Sequence, residues 1–148
     1  MKFEIYKFTV SIHFQRNAEK RCLKKLPSGE ECEVIPDLFH ALMDCEGIND
    51  TFKEVTVIVE GLLDREIEGK DIIMLNFNHR NKKRLKLIIW FVVKSLYGMH
   101  IKKLFNKRQL FNEIWKELDW NVSLMKRIGA LDVMILLKDK LRSLDGQN

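Results

Sequence analysis

The sequence predicts an α+β fold in which a small antiparallel sheet precedes a three-helix, helix-turn-helix core, with an N-terminal β/α extension. Three observations lead there: a β-branched and aromatic segment opens the chain, Val/Ile/Leu-rich segments separated by Gly fill its middle, and three stretches of helical apolar spacing fill the second half. The 148 residues, 46% hydrophobic with seven Gly and two Pro, are enough for one domain with a real core, and they exclude a disordered or linker-rich chain.

Lys2 to Phe14 alternates, with Tyr6, Phe8, Val10, Ile12 and Phe14 on one side, and is expected to be a strand. Pro27, Ser28 and Gly29 mark a turn, followed by a short strand over Glu30 to Val34. Pro36 opens a helix over Asp37 to Cys45, where Leu38, Phe39, Leu42 and Met43 have helical spacing and Gly47 ends it. Glu54 to Glu60 and Asp71 to Phe77, punctuated by Gly61 and Gly69, read as an antiparallel meander of two or three short strands.

The second half is helical by the same criteria. Leu85, Ile88, Ile89, Val92, Val93 and Leu96 define a helix over Arg84 to Tyr97, with Gly98 as its C-cap. Met99 to Phe105 reads as a connector with strand character, and Asn106 as the N-cap of a helix through about Leu118. A last helix runs from Asn121 or Ser123 to Leu144. Residues 1–50 thus form the extension and residues 51–148 the main domain. Trp90, Trp115 and Trp120 read as packing residues.

Charge is unevenly distributed along the chain. Residues 72–112 hold ten Lys or Arg and no Asp or Glu, whereas residues 1–71 hold 10 basic against 15 acidic side chains, and the net charge is +5. Such a block is an electrostatic footprint for a polyanion. The longest apolar run, Leu87 to Val93, is too short to span a bilayer. Met1 to Phe14 interleaves charged with apolar residues, unlike a signal peptide. A cytoplasmic protein without membrane contact is the expectation.

Cys22, Cys32 and Cys45 are odd in number, 10 and 13 residues apart, and form no Cys-x-x-Cys pair. That spacing argues against a disulfide framework or a structural zinc site. His40 and Cys45 read as a half-buried helix pair, so no metal or other cofactor is assigned. Glu60, Asp64, Glu66, Glu68 and Asp71 read as solvent-facing hairpin charges, and with neither a Gly-rich phosphate loop nor a Ser-His-Asp or Cys-His signature, no enzymatic activity is expected.

Asn106-Lys107-Arg108-Gln109-Leu110-Phe111-Asn112-Glu113-Ile114-Trp115 resembles the second helix of the winged-helix effector domain of OmpR/PhoB-type response regulators and SARP-type transcriptional activators. Leu85 to Gly98 looks like that family's first helix, Val57 to Gly69 like its Gly-bounded hairpin, and Ala130 to Leu141 like its third, recognition helix. The resemblance implies a winged-helix-like fold and a transcription regulator or accessory module that binds double-stranded DNA. Phosphate contacts are expected from Arg80, Lys82, Lys83, Arg84, Lys86, Lys102, Lys103, Lys107, Arg108, Lys126, Arg127 and Lys138. The family's β-hairpin wing has no counterpart after Leu144, and Val133, Ile135 and Leu136 stand where the family places polar, DNA-reading residues. The alternative is therefore a protein–protein interaction or dimerisation module without sequence-specific readout, its apolar third helix covered by a second copy or another protein.

Overall fold

The computed structural model describes residues 22, 24–34, 37–78, 82–102 and 105–146, with Lys82 and Ile101 described by their backbone. The predicted opening strand, Arg80 and Lys103 lie outside these residues. Among the described residues six α-helices follow a π-helical turn: α1 (His40–Asp44, the π turn), α2 (Asn49–Leu63), α3 (Gly69–Met74), α4 (Lys82–Lys102), α5 (Lys107–Trp120), α6 (Val122–Arg127) and α7 (Leu131–Asp145).

The sequence of α4 explains the architecture. Leu85, Ile88, Ile89, Phe91, Val92, Val93, Leu96 and Met99 are all buried, and together they cover somewhat more than half of the helix's circumference, while Lys83, Lys94 and Lys102 stay exposed. So wide an apolar face takes several neighbours to cover, and α1, α2, α3, α5 and α7 all pack on α4. Helix α5 runs antiparallel along it, as the ion pairs Lys102–Glu113 (2.7 Å) and Lys94–Glu117 (3.3 Å) show. The Asn106 side chain caps α5 by accepting from the Gln109 amide at 2.9 Å, as its sequence position predicts.

The predicted sheet is not there. Among the described residues the fold is helical, and pairing of extended segments is confined to an isolated antiparallel bridge between Lys25 and Glu31. The segment expected as the meander's first strand lies in α2, and most of the second forms α3. In α2 the buried residues are Thr51, Phe52, Val55, Ile58, Val59, Leu62 and Leu63, a helical repeat of three and four that overrides the strand preference of the β-branched residues between them. Asp64 then ends α2 in the left-handed conformation, φ 55°. The acidic residues read as hairpin charges therefore lie on α2, α3 and the loop between them.

Two boundaries also move. Gly98 does not cap the first long helix, which continues to Lys102, because Met99 still faces the core with 0% exposure. The last predicted helix is broken into α6 and α7 at Ile128 to Ala130, where Gly129 adopts φ +69°, a conformation that favours glycine. Trp120 is 89% exposed and is not a packing residue. No helix among the described residues is long and apolar enough to cross a membrane.

Candidate functional site

The Pro27-Ser28-Gly29 turn lays residues 24–26 alongside residues 30–32 in a narrow loop. Its cross-chain backbone hydrogen bonds link Cys22 to Val34 (3.0 Å) and Cys32 to Lys24 (2.8 Å). Alternate residues of an extended segment share a face, so Cys22, Lys24 and Cys32 lie on one side and are buried, while Lys25, Glu31 and Glu33 are exposed. The buried side meets the turn after α1, where Gly47 leaves no room for a side chain: a Cβ there would lie 2.6 Å from Lys24 Cβ and 2.9 Å from the Lys25 carbonyl.

Helix α1 brings two more groups to the same place. In an α-helix, residues five apart point about 140° away from each other. Here the Cys45 amide donates to the His40 carbonyl at 3.1 Å, and this wider turn carries Cys45 round to the side of His40. Asp37 fixes the helix start, its carboxylate accepting from the His40 amide at 2.7 Å.

The ligand atoms of Cys22, Cys32, His40 and Cys45 consequently lie within 4.8 Å of one another. Cys22 Sγ is 3.5 Å from Cys45 Sγ, and Cys32 Sγ is 3.5 Å from His40 Nε2. All three cysteines are free and buried. Burial above all pushes the Cys45 thiol up to about 12, the contacts with Cys22 and Cys32 adding to it and the Gly47 amide opposing it. Burial, and then the charge of Lys24, hold His40 below its ordinary 6.5 against the pull of Asp37 and Asp44. A neutral imidazole offers its Nε2 lone pair to a cation.

Lys24 is itself wholly buried. Its ammonium lies 3.3 Å from Cys22 Sγ, 3.1 Å from His100 Nδ1 on the last turn of α4, and 5.0 Å from the centre of the Phe105 ring. Among the described residues, none of its partners is a carboxylate.

The basic residues expected to meet phosphate are dispersed. Lys83 and Lys102 occupy opposite ends of α4, about 28 Å apart at the helical rise, so the two expected clusters do not converge. Lys102 is paired with Glu113 at 2.7 Å. Lys107 donates to the Leu144 carbonyl at 2.8 Å, and Lys138 pairs with Asp119 at 3.1 Å over the Trp115 ring. The Lys86 ammonium lies over Phe77, and Arg108 is exposed at the start of α5. At the other end of α4, Arg84 donates to the Gly129 carbonyl at 3.0 Å and pairs with Asp132 at 3.5 Å. Those contacts bring the start of α4 to the α6–α7 turn, so that exposed Lys83, Lys126 and Arg127 are carried by segments meeting at one corner.

No family model, curated protein or solved structure matches this chain.

Proposed function

We propose that this chain is a non-enzymatic binding module that contacts the phosphate backbone of double-stranded DNA through the corner where α4 begins and α6 ends. The observation that carries this reading is the Arg84–Gly129 hydrogen bond at 3.0 Å, which joins the two segments bearing Lys83, Lys126 and Arg127. Trp120, 89% exposed at the end of α5, lies on the same half of the molecule because α5 is antiparallel to α4. Phosphate contacts position a protein without reading sequence, so binding should show little sequence preference.

Titrating labelled duplex DNA at two salt concentrations tests the proposal. Three or four phosphate contacts predict a log–log salt slope of about −3 to −4; absence of binding at low salt, or binding indifferent to salt, refutes it. A second reading, association through α7 with a second copy or another protein, is favoured by Ile135 and Leu136, adjacent and 55% and 53% exposed. Sedimentation of the purified chain, with Leu136→Glu as the comparison, distinguishes a self-associating α7 from a monomer.

A further inference from the structure

We propose that this protein binds one zinc ion in a closed tetrahedral centre made by Cys22, Cys32, His40 and Cys45, with the buried ammonium of Lys24 as its counter-charge. This proposal is independent of any contact with DNA.

Geometry comes first. Zinc–sulfur and zinc–nitrogen bonds of about 2.3 and 2.0–2.1 Å require tetrahedral edges of about 3.8 Å between two sulfurs and about 3.5 Å between sulfur and nitrogen. The Cys22–Cys45 and Cys32–His40 separations are both 3.5 Å, and the remaining ligand pairs lie within 4.8 Å. Closing the tetrahedron takes shifts that side-chain rotation supplies. A disulfide accounts for less: it needs sulfurs about 2.0 Å apart, uses two of the four groups and leaves the others assembled for no purpose.

Donor chemistry selects the ion. Three thiolates and an imidazole suit zinc and other soft or borderline metals, and disfavour calcium and magnesium. Four protein ligands with buried cysteines leave no position for water, which marks a structural centre and not a catalytic one. On binding, the ion takes the place of the thiol protons, which pass to the solvent.

Electrostatics supplies an independent argument. Burying a lysine that has no carboxylate among its described partners is costly, and Lys24 is 0% exposed beside a sulfur. A divalent ion held by three thiolates and a neutral imidazole carries one surplus negative charge, and the ammonium at 3.3 Å from Cys22 Sγ cancels it. The lysine and the cluster thus explain each other. Through His100 the same ammonium ties the centre to the end of α4.

The test uses the full-length chain, purified without a metal-binding tag under reducing conditions. One zinc per chain is expected after dialysis, and titration of the metal-free protein with cobalt should give the intense visible bands of a tetrahedral cobalt–thiolate site. Cys32→Ser and His40→Ala should each lose stoichiometric zinc. Lys24→Met should keep the cobalt spectrum while binding zinc about 10- to 100-fold more weakly, the usual effect of losing a group that supports a ligand. Wild-type protein that is folded by circular dichroism yet takes neither zinc nor tetrahedral cobalt overturns the centre, whatever the variants do. Unchanged zinc affinity in Lys24→Met overturns the role of Lys24. Since Lys126 and Arg127 lie near the opposite end of α4, their replacement should leave zinc content unchanged.

Discussion

The ammonium of Lys24 lies 3.1 Å from Nδ1 of His100, joining the loop that carries two cysteines to the last turn of the central helix. A part-buried polar link of this kind favours one arrangement, because losing it takes away part of what compensates the buried ammonium. The fold therefore has two distinct ends along α4: a sulfur-rich end held by Lys24, and a basic corner held by Arg84.

Removing the metal should loosen the first end without melting the second. Structural zinc contributes folding free energy directly, and the loop's own backbone pairing is sparse. Treatment with a strong chelator should accelerate hydrogen exchange at the Leu26, Cys32 and Cys45 amides, while amides in the middle of α4 and α5 keep their protection. Uniform loss of protection across the chain, or none at all, would contradict this separation.

Gly47→Ala should destabilise the protein by about 1–3 kcal/mol, the usual cost of forcing an added carbon into a packed site. A Cβ there would press on Lys24 Cβ and on the Lys25 carbonyl, neither of which is the far end of a flexible side chain. Urea denaturation measures the loss, and zinc affinity should fall with it. Gly29→Ala makes a useful contrast: nothing crowds its Cβ, so its cost comes from the positive φ of +87° alone, and zinc affinity should change less.

Alkaline pH should selectively remove the contribution of Lys102. Its hydrogen bond to Glu113, chiefly, raises its pKa above the ordinary 10.5. A group whose folded-state pKa is raised contributes stability that is complete below the unfolded value and is lost as pH climbs through the folded one. The stability difference between wild type and Lys102→Met should be constant near neutrality and shrink above pH 10.5. A difference that grows there would reverse the sign of the linkage.

Charge reversal should separate the two ends of α4 in DNA binding. The pair Lys126→Glu with Arg127→Glu should weaken duplex binding and flatten its salt dependence, each lost phosphate contact removing about 0.9 from the slope. Arg108→Glu, at the far end, should do little. Equal effects at both sites would assign the affinity to net charge and not to the corner.

Much of the second half was legible in the sequence because its signals are local. Asn106 caps α5 as expected, and Leu85, Ile88, Ile89, Val92, Val93 and Leu96 are buried along α4. The expected sheet is absent among the described residues because, although Val55 to Val59 favour strands by residue type, Phe52, Val55, Ile58, Val59 and Leu62 repeat as a helix, and packing against α4 and α7 follows the repeat. The block of residues 72–112 without Asp or Glu is less isolated in space than along the chain. Glu113, Glu117 and Asp132 come from outside it and pair with Lys102, Lys94 and Arg84 across the bundle.

The sulfur cluster was hidden by its spacing. Cys22 and Cys32 are far apart along the chain, but they stand five residues before and three residues after the turn at Pro27 to Gly29, and pairing of Cys22 with Val34 and of Lys24 with Cys32 puts both on one face. That signal was readable. The approach of Cys45 to His40 was not, since it depends on a π turn that the residue pattern does not announce.

X-ray absorption at the zinc edge of the purified full-length chain tests the central claim most directly. The account predicts a first shell of three sulfurs at about 2.3 Å and one nitrogen at about 2.0–2.1 Å. A shell dominated by oxygen, or protein that is folded and reduced without zinc, would contradict it.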